Sequence, residues 1–232
     1  MEIHGFQKTT LLDYPGHVAA TVFFCGCNFR CPYCHNKDLV LSPSSAPTIE
    51  EETVLNHLKK RVGILDGVCI TGGEPTLQPD LESLIVKIRS LGYVIKLDTN
   101  GSNPQVLKSL CQKNLIDYVA MDIKHTPQKY ALVCQSDCLS MEAIMESVDF
   151  LKENRVPYEF RTTITRELHK KEDIPAIGAW LKGASAYYLQ AYQESEQVIS
   201  PVFSSYTYKE LQEFQRLLEN DIAHVGIRGI DE

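Results

Sequence analysis

A short stretch near the start of the chain holds three cysteines at a spacing that constrains the whole fold. Cys27, Cys31 and Cys34 form a C-x3-C-x2-C pattern within residues 25–36. One compact loop can turn three thiolates at this spacing toward a common centre, and three soft sulfur ligands indicate a thiophilic metal or an iron-sulfur cluster. Cys25 lies two residues before the pattern and is expected to face away from that centre.

Other uses of the same loop remain open at this point. A closed zinc site needs a fourth ligand, and His35 is poorly placed for it because it directly follows Cys34. Residues 31–34 also match a C-x-x-C dithiol redox motif, and extending the match to His35 gives the pattern for covalent haem attachment. Neither motif accounts for Cys27. Three thiolates around a metal centre with one open position is the hypothesis that uses all three cysteines.

Length, charge and composition narrow the class of protein. A chain of 232 residues is long enough for one α/β barrel or for two small domains. The formal charge of -7 argues against binding to nucleic acid or to an anionic membrane, because counterion release needs clustered Lys and Arg. No apolar run approaches the roughly 20 residues of a membrane span, and no signal peptide is evident. We therefore expect a cytoplasmic protein with reduced cysteines.

The remaining cysteines are expected to be ordinary thiols. Cys134 and Cys138 form a C-x3-C pair that could hold a second metal, but no third cysteine lies at a matching spacing. Cys69 lies in an apolar strand-like run and Cys111 on the apolar face of a predicted helix, where cysteine behaves as a small hydrophobe.

Strand-like and helix-like segments alternate along the chain. Strands are predicted at 18–24, 67–71, 94–97, 117–121, 158–164 and 186–192, with a short extra strand at 223–227. Helices are predicted at 48–63, 79–92, 103–113, 140–153, 172–182 and 206–219. Thr48 and Glu51 match a capping box at the first helix, and Val62 lies on its predicted apolar face. A Ser/Pro-rich connector spans 42–47, and residues 1–15 show no clear periodicity.

This alternation implies right-handed crossovers and a parallel sheet. Six strand-helix units favour a partial (β/α)6 TIM-like barrel, an α/β fold in which residues 1–232 form a single domain.

Polar residues follow the ends of the predicted strands. Residues 72–74 follow the second strand, residues 98–100 follow the third, and Asp122 and Lys124 follow the fourth. Since the carboxyl-terminal edge of a parallel barrel carries the chemistry, these groups and the cysteine loop are expected to converge on one mouth. An ordinary turn explains each set alone, but not four sets on one edge.

Each of these sets of residues has groups that can contact a charged, nucleoside-like ligand. Gly72 and Gly73 allow close approach of backbone, and Glu74 can accept hydrogen bonds from an ammonium group. Asp98, with Thr99 beside it, can receive ribose hydroxyls or a cation.

Two basic residues offer positive charge for a ligand carboxylate. These are Lys124 and Arg161. Arg161 lies inside an apolar strand, so a buried structural ion pair is the alternative for it.

These motifs resemble the radical S-adenosylmethionine enzymes, whose C-x3-C-x2-C loop carries a 4Fe-4S cluster with one iron left for the cofactor. The flanking residues, Asp13-Tyr-Pro-Gly16 and Cys34-His35-Asn36, are similar to those of the glycyl-radical activating enzymes. Within that group the chain most resembles the anaerobic ribonucleoside-triphosphate reductase activating proteins, and pyruvate formate-lyase activating enzyme is a near relative. The resemblance runs from about residue 8 to residue 192, and it also implies a partial (β/α)6 barrel.

The resemblance implies ligands for the site residues. The 4Fe-4S cluster would be held by Cys27, Cys31 and Cys34, and S-adenosylmethionine by Gly72, Gly73, Glu74, Asp98, Thr99, Lys124 and Arg161. Asp98, Thr99 and Asp122 match residues that contribute to a monovalent cation site in activating enzymes. One departure concerns Tyr192-Gln193, where the pyruvate formate-lyase type has Tyr-His. An amide cannot take up a proton as an imidazole can.

The resemblance predicts an activase. The reduced cluster would cleave S-adenosylmethionine to methionine and a 5'-deoxyadenosyl radical, which takes a hydrogen from a glycine of a partner enzyme. Anaerobic ribonucleotide reductase is the expected partner, and a flavodoxin or ferredoxin is the expected reductant. The alternatives are activation of a pyruvate formate-lyase type enzyme, a small-molecule radical enzyme, a non-catalytic metal-binding module and a dithiol oxidoreductase. The lack of an evident extra substrate domain favours a protein substrate.

The cysteine assignment makes a first prediction. Protein purified without oxygen should be brown, and Cys27→Ala, Cys31→Ala or Cys34→Ala should each abolish the visible absorption. Cys25→Ala should largely keep it, because that thiol is not needed to complete the three-sulfur face. Absorption spectra with iron and sulfide analysis would measure this. A stable, full cluster in Cys31→Ala would contradict the ligand assignment.

Overall fold

The computed structural model describes residues 2–42 and 47–231, and its centre is an eight-stranded sheet. From edge to edge the sheet consists of β10 (Val225–Arg228), β9 (Tyr187–Ala191), β8 (Tyr158–Ile164), β7 (Tyr118–Asp122), β6 (Val94–Thr99), β5 (Gly67–Gly72), β3 (Ala19–Phe24) and β2 (Gly5–Thr10). All neighbours in this order are parallel except β2 and β3, which are antiparallel. A separate antiparallel pair joins β1 (Glu2–Ile3) to β4 (Ile49–Glu50). The predicted strands are therefore present, including the short extra one.

Helices connect the parallel strands. They are α1 (Lys37–Leu41), α2 (Glu51–Lys60), α3 (Leu81–Arg89), α4 (Pro104–Gln112), α5 (Tyr130–Cys134), α6 (Met141–Lys152), α7 (Ile174–Trp180) and α8 (Tyr208–Leu218). The six predicted helices correspond to α2, α3, α4, α6, α7 and α8, and the predicted α/β partial barrel is confirmed. Among the described residues, no helix combines the length and the apolar character that a membrane span requires.

The central strands are buried on both faces. In β5, Val68, Cys69 and Ile70 are all fully buried, although their side chains alternate between the two faces of the sheet. Such unbroken apolar runs are what a parallel sheet covered by helices requires. On one side the buried residues of α3 pack against this sheet, and the described apolar side chains form one core cluster.

The N-terminal segment differs from the sequence expectation. Residues 5–10 form β2, which pairs with β3 although its residues Gln7 and Lys8 are exposed. An edge strand that buries only part of one face has little apolar periodicity, so its hydrogen bonds with β3 define it. Short helices α1 and α5 were also not predicted. Residues 43–46 of the predicted connector lie outside the described residues.

The predicted capping box is wrong. Ile49 and Glu50 pair with β1, so the helix begins only at Glu51, and its N-cap residue makes no side-chain capping bond. The helix also ends at Lys60, which leaves Val62 outside it and 55% exposed. Strand pairing at one end of the segment therefore outweighs the local capping preference.

Two neighbouring positions of α3 test how the helix packs. Leu84 is fully buried in the core, whereas Val86 is 48% exposed. Leu84→Ala should lower the free energy of unfolding by about 2–5 kcal/mol because it leaves a cavity. Val86→Ala, the matched control, should change it by no more than about 0.5 kcal/mol. Anaerobic urea unfolding measures both values, and equal effects would contradict this packing.

Candidate functional site

A cavity of about 410 Å³ lies at the carboxyl ends of the parallel strands. Nearly all of the predicted site residues line it: Cys27, Cys31, Cys34, Gly72, Gly73, Asp98, Thr99, Asp122, Lys124 and Arg161. Glu74 is the exception. The expected convergence of four strand ends on one mouth is therefore present in the structure.

The cysteine loop forms one wall of this cavity. The backbone N–H of Phe29 donates to Cys27 Sγ and that of Asn36 donates to Cys34 Sγ, each over 3.4 Å. Such N–H donors stabilise ligating sulfur. The described residues contain no three His, Cys, Asp or Glu side chains already drawn together as metal ligands. The shared wall and the N–H donors fit an iron-sulfur cluster, and the ligand assignment stays a prediction.

Burial keeps two of these thiols protonated without a metal. It raises the pKa of Cys27 to about 12, and it also raises the pKa of Cys34 above its usual value. A ligating sulfur must be a thiolate, so metal binding here would release protons.

Two loops meet backbone to backbone beside the cysteines. The Glu74 N–H donates to the Gly26 carbonyl over 2.8 Å, and the Asn36 side-chain amide donates to the Gly72 carbonyl over 2.7 Å. A Cβ atom on Gly73 would lie 2.0 Å from the Gly26 carbonyl oxygen. Only glycine permits this approach between the two loops, and the expected approach of the glycine pair to a ligand stays a prediction.

Glu74 does not reach the cavity. Its fully buried carboxylate accepts hydrogen bonds from Thr76 N at 3.1 Å, Thr76 Oγ1 at 2.5 Å, Thr99 Oγ1 at 2.7 Å and Asn100 N at 2.7 Å. Burial raises the pKa of this carboxyl, and these hydrogen bonds oppose the shift. The contact with a ligand ammonium stays a prediction. In this structure the carboxylate oxygens bind Thr76 and the end of β6.

Opposite charges alternate around the cavity. Arg161 contacts Asp98 at 3.1 Å and Asp122 at 2.5 Å, Lys124 contacts Asp122 at 2.8 Å, and Lys96 pairs with Asp98. Burial alone would raise the pKa of both carboxyls, but the neighbouring cations hold each pKa below its usual value. Burial would lower the pKa of Lys124, yet Asp122 raises it well above its usual value. This network therefore carries three cations and two carboxylates.

The network also bears on two sequence predictions. Arg161 is a half-buried ion-pair partner that also lines the cavity, so the ion pairing is present and its contact with a ligand carboxylate stays a prediction. The carboxylates proposed for a monovalent cation, Asp98 and Asp122, already share the Arg161 guanidinium, and the Thr99 hydroxyl donates to Glu74. The cation stays a prediction, and this arrangement gives its candidate ligands other partners.

Sequence reasoning did not assign several cavity residues. Thr163 and Gln190 lie on the wall and are polar positions inside strands, the same signal that identified Arg161. Tyr33, in the cysteine loop, is buried against the cavity, and its hydroxyl has no hydrogen-bond partner among the described residues. No local pattern distinguishes that tyrosine from a core aromatic.

Two contacts through Gln193 connect the cysteine loop to the far edge of the sheet. His35 Nε2 lies 2.5 Å from the Gln193 carbonyl oxygen, so this histidine is not turned toward the cysteines as a fourth ligand. The Gln193 side-chain amide donates to the Gly229 carbonyl, just after β10, over 2.8 Å.

The loop contact makes a second site prediction. Gly73→Ala should lower iron content and visible absorption severalfold, because a methyl group would push the cysteine loop away from β5. Gly92→Ala is the control: its φ is +93° with open space around the new methyl. It should cost about 1–2 kcal/mol of stability but keep the cluster. Equal iron content in the two variants would contradict the proposed constraint.

Comparison with known proteins agrees with this site. The model of the Radical SAM superfamily matches residues 21–174. A Methanocaldococcus jannaschii protein assigned by name as a glycyl-radical enzyme activating enzyme is 33% identical over 236 residues, covering 99% of this chain and 96% of its own length. The pyruvate formate-lyase-activating enzyme of Clostridium pasteurianum is 33% identical over 128 residues, covering 53% of this chain and 52% of its own.

A solved structure matches in fold. The crystal structure of Streptococcus suis SuiB bound to S-adenosylmethionine has a TM-score of 0.69 at 13% identity, covering 90% of this chain and 52% of that one. At this identity the likeness shows the fold alone. The family match over the cysteine loop and most strand ends, with a relative similar over nearly the whole length, shows that the chain belongs to the Radical SAM superfamily.

Proposed function

We propose that this protein is an activase that takes a hydrogen atom from a glycine of a partner glycyl-radical enzyme. The observation that carries the proposal is the similarity, over 99% of the chain, to a protein assigned as an activating enzyme. When bound, the 4Fe-4S cluster supplies the electron that splits S-adenosylmethionine into methionine and a 5'-deoxyadenosyl radical. The remaining tasks of binding, orientation and water exclusion belong to the chain.

Each wall of the cavity has a role in this proposal. Cys27, Cys31 and Cys34 would hold the 4Fe-4S cluster, which would supply an open iron position for S-adenosylmethionine. Lys124 and Arg161 give the cavity its excess positive charge, which suits the carboxylate of the methionine moiety. The backbone of the 72–73 glycine pair can approach the amino group because it carries no side chains.

A second opening supports a macromolecular substrate. A cavity of about 900 Å³ adjoins the first and shares with it Asp13, Asp98, Arg161 and Gln190. It is lined by residues that follow β2 and by residues of β10, the two edges of the sheet, so it lies where the barrel is not closed. Leu11 and Leu12 on its rim are 72% and 89% exposed. A wide side opening with exposed leucines suits a loop of a partner protein better than a small molecule.

The hydrogen transfer itself needs no acid or base. A C–H bond of the glycine breaks and a C–H bond forms at the 5' carbon, so one hydrogen atom moves and no proton is left over. The reacting carbons must be in near-attack contact, and the glycine must therefore be delivered on a loop into the cavity.

The proposal also names a partner enzyme, an electron donor and a location in the cell. We propose anaerobic ribonucleotide reductase as the partner and a flavodoxin or ferredoxin as the electron donor. We also propose that residues 1–232 act as a single cytoplasmic domain with residues 25–36 as its cluster loop. The acidic charge of the chain supports a soluble setting without nucleic acid.

The test uses the reduced holoprotein, S-adenosylmethionine and candidate partner enzymes. The correct partner should gain a doublet electron-spin signal, with about one 5'-deoxyadenosine formed per radical. Deuterium placed on the partner's glycine should appear in 5'-deoxyadenosine, and Cys27→Ala protein should give neither product. No signal with anaerobic ribonucleotide reductase but a signal with a pyruvate formate-lyase would reassign the partner. Failure with all of them, alongside turnover of a small molecule, would reject the activase.

The charge network predicts a binding defect. Lys124→Met keeps most of the side-chain volume but removes the cation from the cavity, so S-adenosylmethionine should bind more weakly by about 1–3 kcal/mol while the cluster still forms. Lys129→Met is the control, because Lys129 pairs with Asp173 and does not line the cavity. Titration followed by the electron-spin signal of the cluster gives both affinities. Equal affinities would contradict the assigned role of Lys124.

A further inference from the structure

Two buried histidines lie side by side next to Lys124. His125 follows Lys124 in the loop after β7, and His169 lies in the loop after β8. Neither side chain is exposed, and the two rings are stacked with their centroids 5.0 Å apart and their planes at 14°. Neither histidine lines the cavity, so any effect on a ligand must pass through a neighbouring residue.

The hydrogen bonds of the two rings are reciprocal. His169 Nε2 lies 2.9 Å from the Lys124 carbonyl oxygen, which belongs to the loop after β7. His125 Nε2 lies 3.0 Å from the Leu168 carbonyl oxygen, which belongs to the loop after β8. Each ring therefore reaches from its own loop to a carbonyl of the other loop, and the two loops are joined twice.

The second nitrogen of each ring determines where its proton lies. The Thr165 backbone N–H donates to Nδ1 of His169 over 3.2 Å, and the Thr126 backbone N–H donates to Nδ1 of His125 over 2.7 Å. A nitrogen that accepts cannot carry a proton, so the proton of each neutral ring is on Nε2, where it donates to the carbonyl. Burial lowers the pKa of both histidines, that of His169 to about 4, so both rings are neutral at pH 7.

Lys124 lies where the strand pairing of β7 stops. The Ile123 N–H donates to the Arg161 carbonyl over 2.8 Å, and the Ile123 carbonyl accepts from the Thr162 hydroxyl over 2.7 Å. The next carbonyl, that of Lys124, accepts from His169 instead. The ring thus takes over from the strand at the residue whose side chain lines the cavity.

We propose that His169 is a positioning residue for Lys124: its Nε2–H fixes the Lys124 backbone, with His125 as its reciprocal partner, so that the ammonium group is held in the cavity for the carboxylate of S-adenosylmethionine. The inference rests on the proposed function, in which Lys124 attracts that carboxylate. A cation that is already in place avoids the cost of ordering it on binding. Without the ring, the Lys124 carbonyl would be left unpaired, and the loop would shift to find another donor.

The experiment measures the affinity of the holoprotein for S-adenosylmethionine, by titration followed by the electron-spin signal of the cluster. His169→Leu removes the donor, His169→Asn is too short to reach the Lys124 carbonyl, and His169→Gln places an amide N–H near the position of Nε2. Tyr93→Phe is the matched control, because it removes another buried donor, 2.7 Å from the Leu58 carbonyl and away from the cavity.

We expect a full cluster in all four variants. Binding should weaken by about tenfold in His169→Leu and His169→Asn, because a displaced ammonium loses part of its charge-assisted contact. His169→Gln should recover most of that loss, and Tyr93→Phe should bind as the unmodified protein does.

A second arm asks whether the histidine acts through Lys124. In the Lys124→Met background, His169→Leu should change the affinity by less than about twofold, because the group that it positions is already gone. A residue that only supports the fold would weaken binding equally in both backgrounds.

Three results would overturn the inference. One is unchanged affinity in both His169→Leu and His169→Asn, and another is an equal loss with and without Lys124. The third is failure of all three His169 variants to form the cluster, since a general folding role would then account for the residue. If only His169→Leu fails to fold, the comparison of His169→Asn with His169→Gln decides: weaker binding in the first supports the inference, and equal binding rejects it.

This test fails separately from the proposed function. Weaker binding in Lys124→Met with normal binding in His169→Leu rejects only the role of the histidine. Normal binding in Lys124→Met rejects the assigned role of the lysine, and the inference with it. Neither affinity involves a partner enzyme, so an absent glycyl radical would reject the activase and leave the role of His169 intact.

Discussion

The site depends on one backbone contact, the approach of Gly73 to the carbonyl of Gly26. No side chain fits between the two loops, so the cysteine loop lies at a fixed distance from the end of β5. Glu74 comes directly after this contact, and its fully buried carboxylate accepts hydrogen bonds from Thr99 and Asn100 at the end of β6. One steric constraint therefore sets the positions of the cysteine wall and of two neighbouring strand ends.

The charged wall is held in a different way. Arg161 lies on β8 and contacts carboxylates at the ends of β6 and β7, so one guanidinium cross-links three strands. The folded-state pKa of Asp98 and of Asp122 lies below the usual aspartate value. Their ion pairs therefore stabilise the fold above that usual value, and the contribution is lost as the pH falls through the folded-state pKa. The network also fixes the cationic groups before any ligand arrives, which lowers the cost of ordering them on binding.

Much of this could be predicted from sequence because the information is local or follows from strand order. The cysteine spacing, the glycine pair and the polar residues at strand ends all lie next to one another in the chain, and a parallel sheet gathers them at one edge. The hydrogen bonding of Glu74 could not be predicted, because it depends on Thr99 and Asn100 at the end of another strand. The same holds for β2, which only its pairing with β3 defines. Long-range contacts of this kind leave no periodic signal.

The amide at Gln193 has a consequence for the last strand. Where the pyruvate formate-lyase type has an imidazole, this chain has a group that donates to the Gly229 carbonyl without any titration. An imidazole in this place could change its charge near neutral pH, but an amide cannot. The hydrogen bond from Gln193 to Gly229, which joins the end of β9 to the segment after β10, is therefore independent of pH.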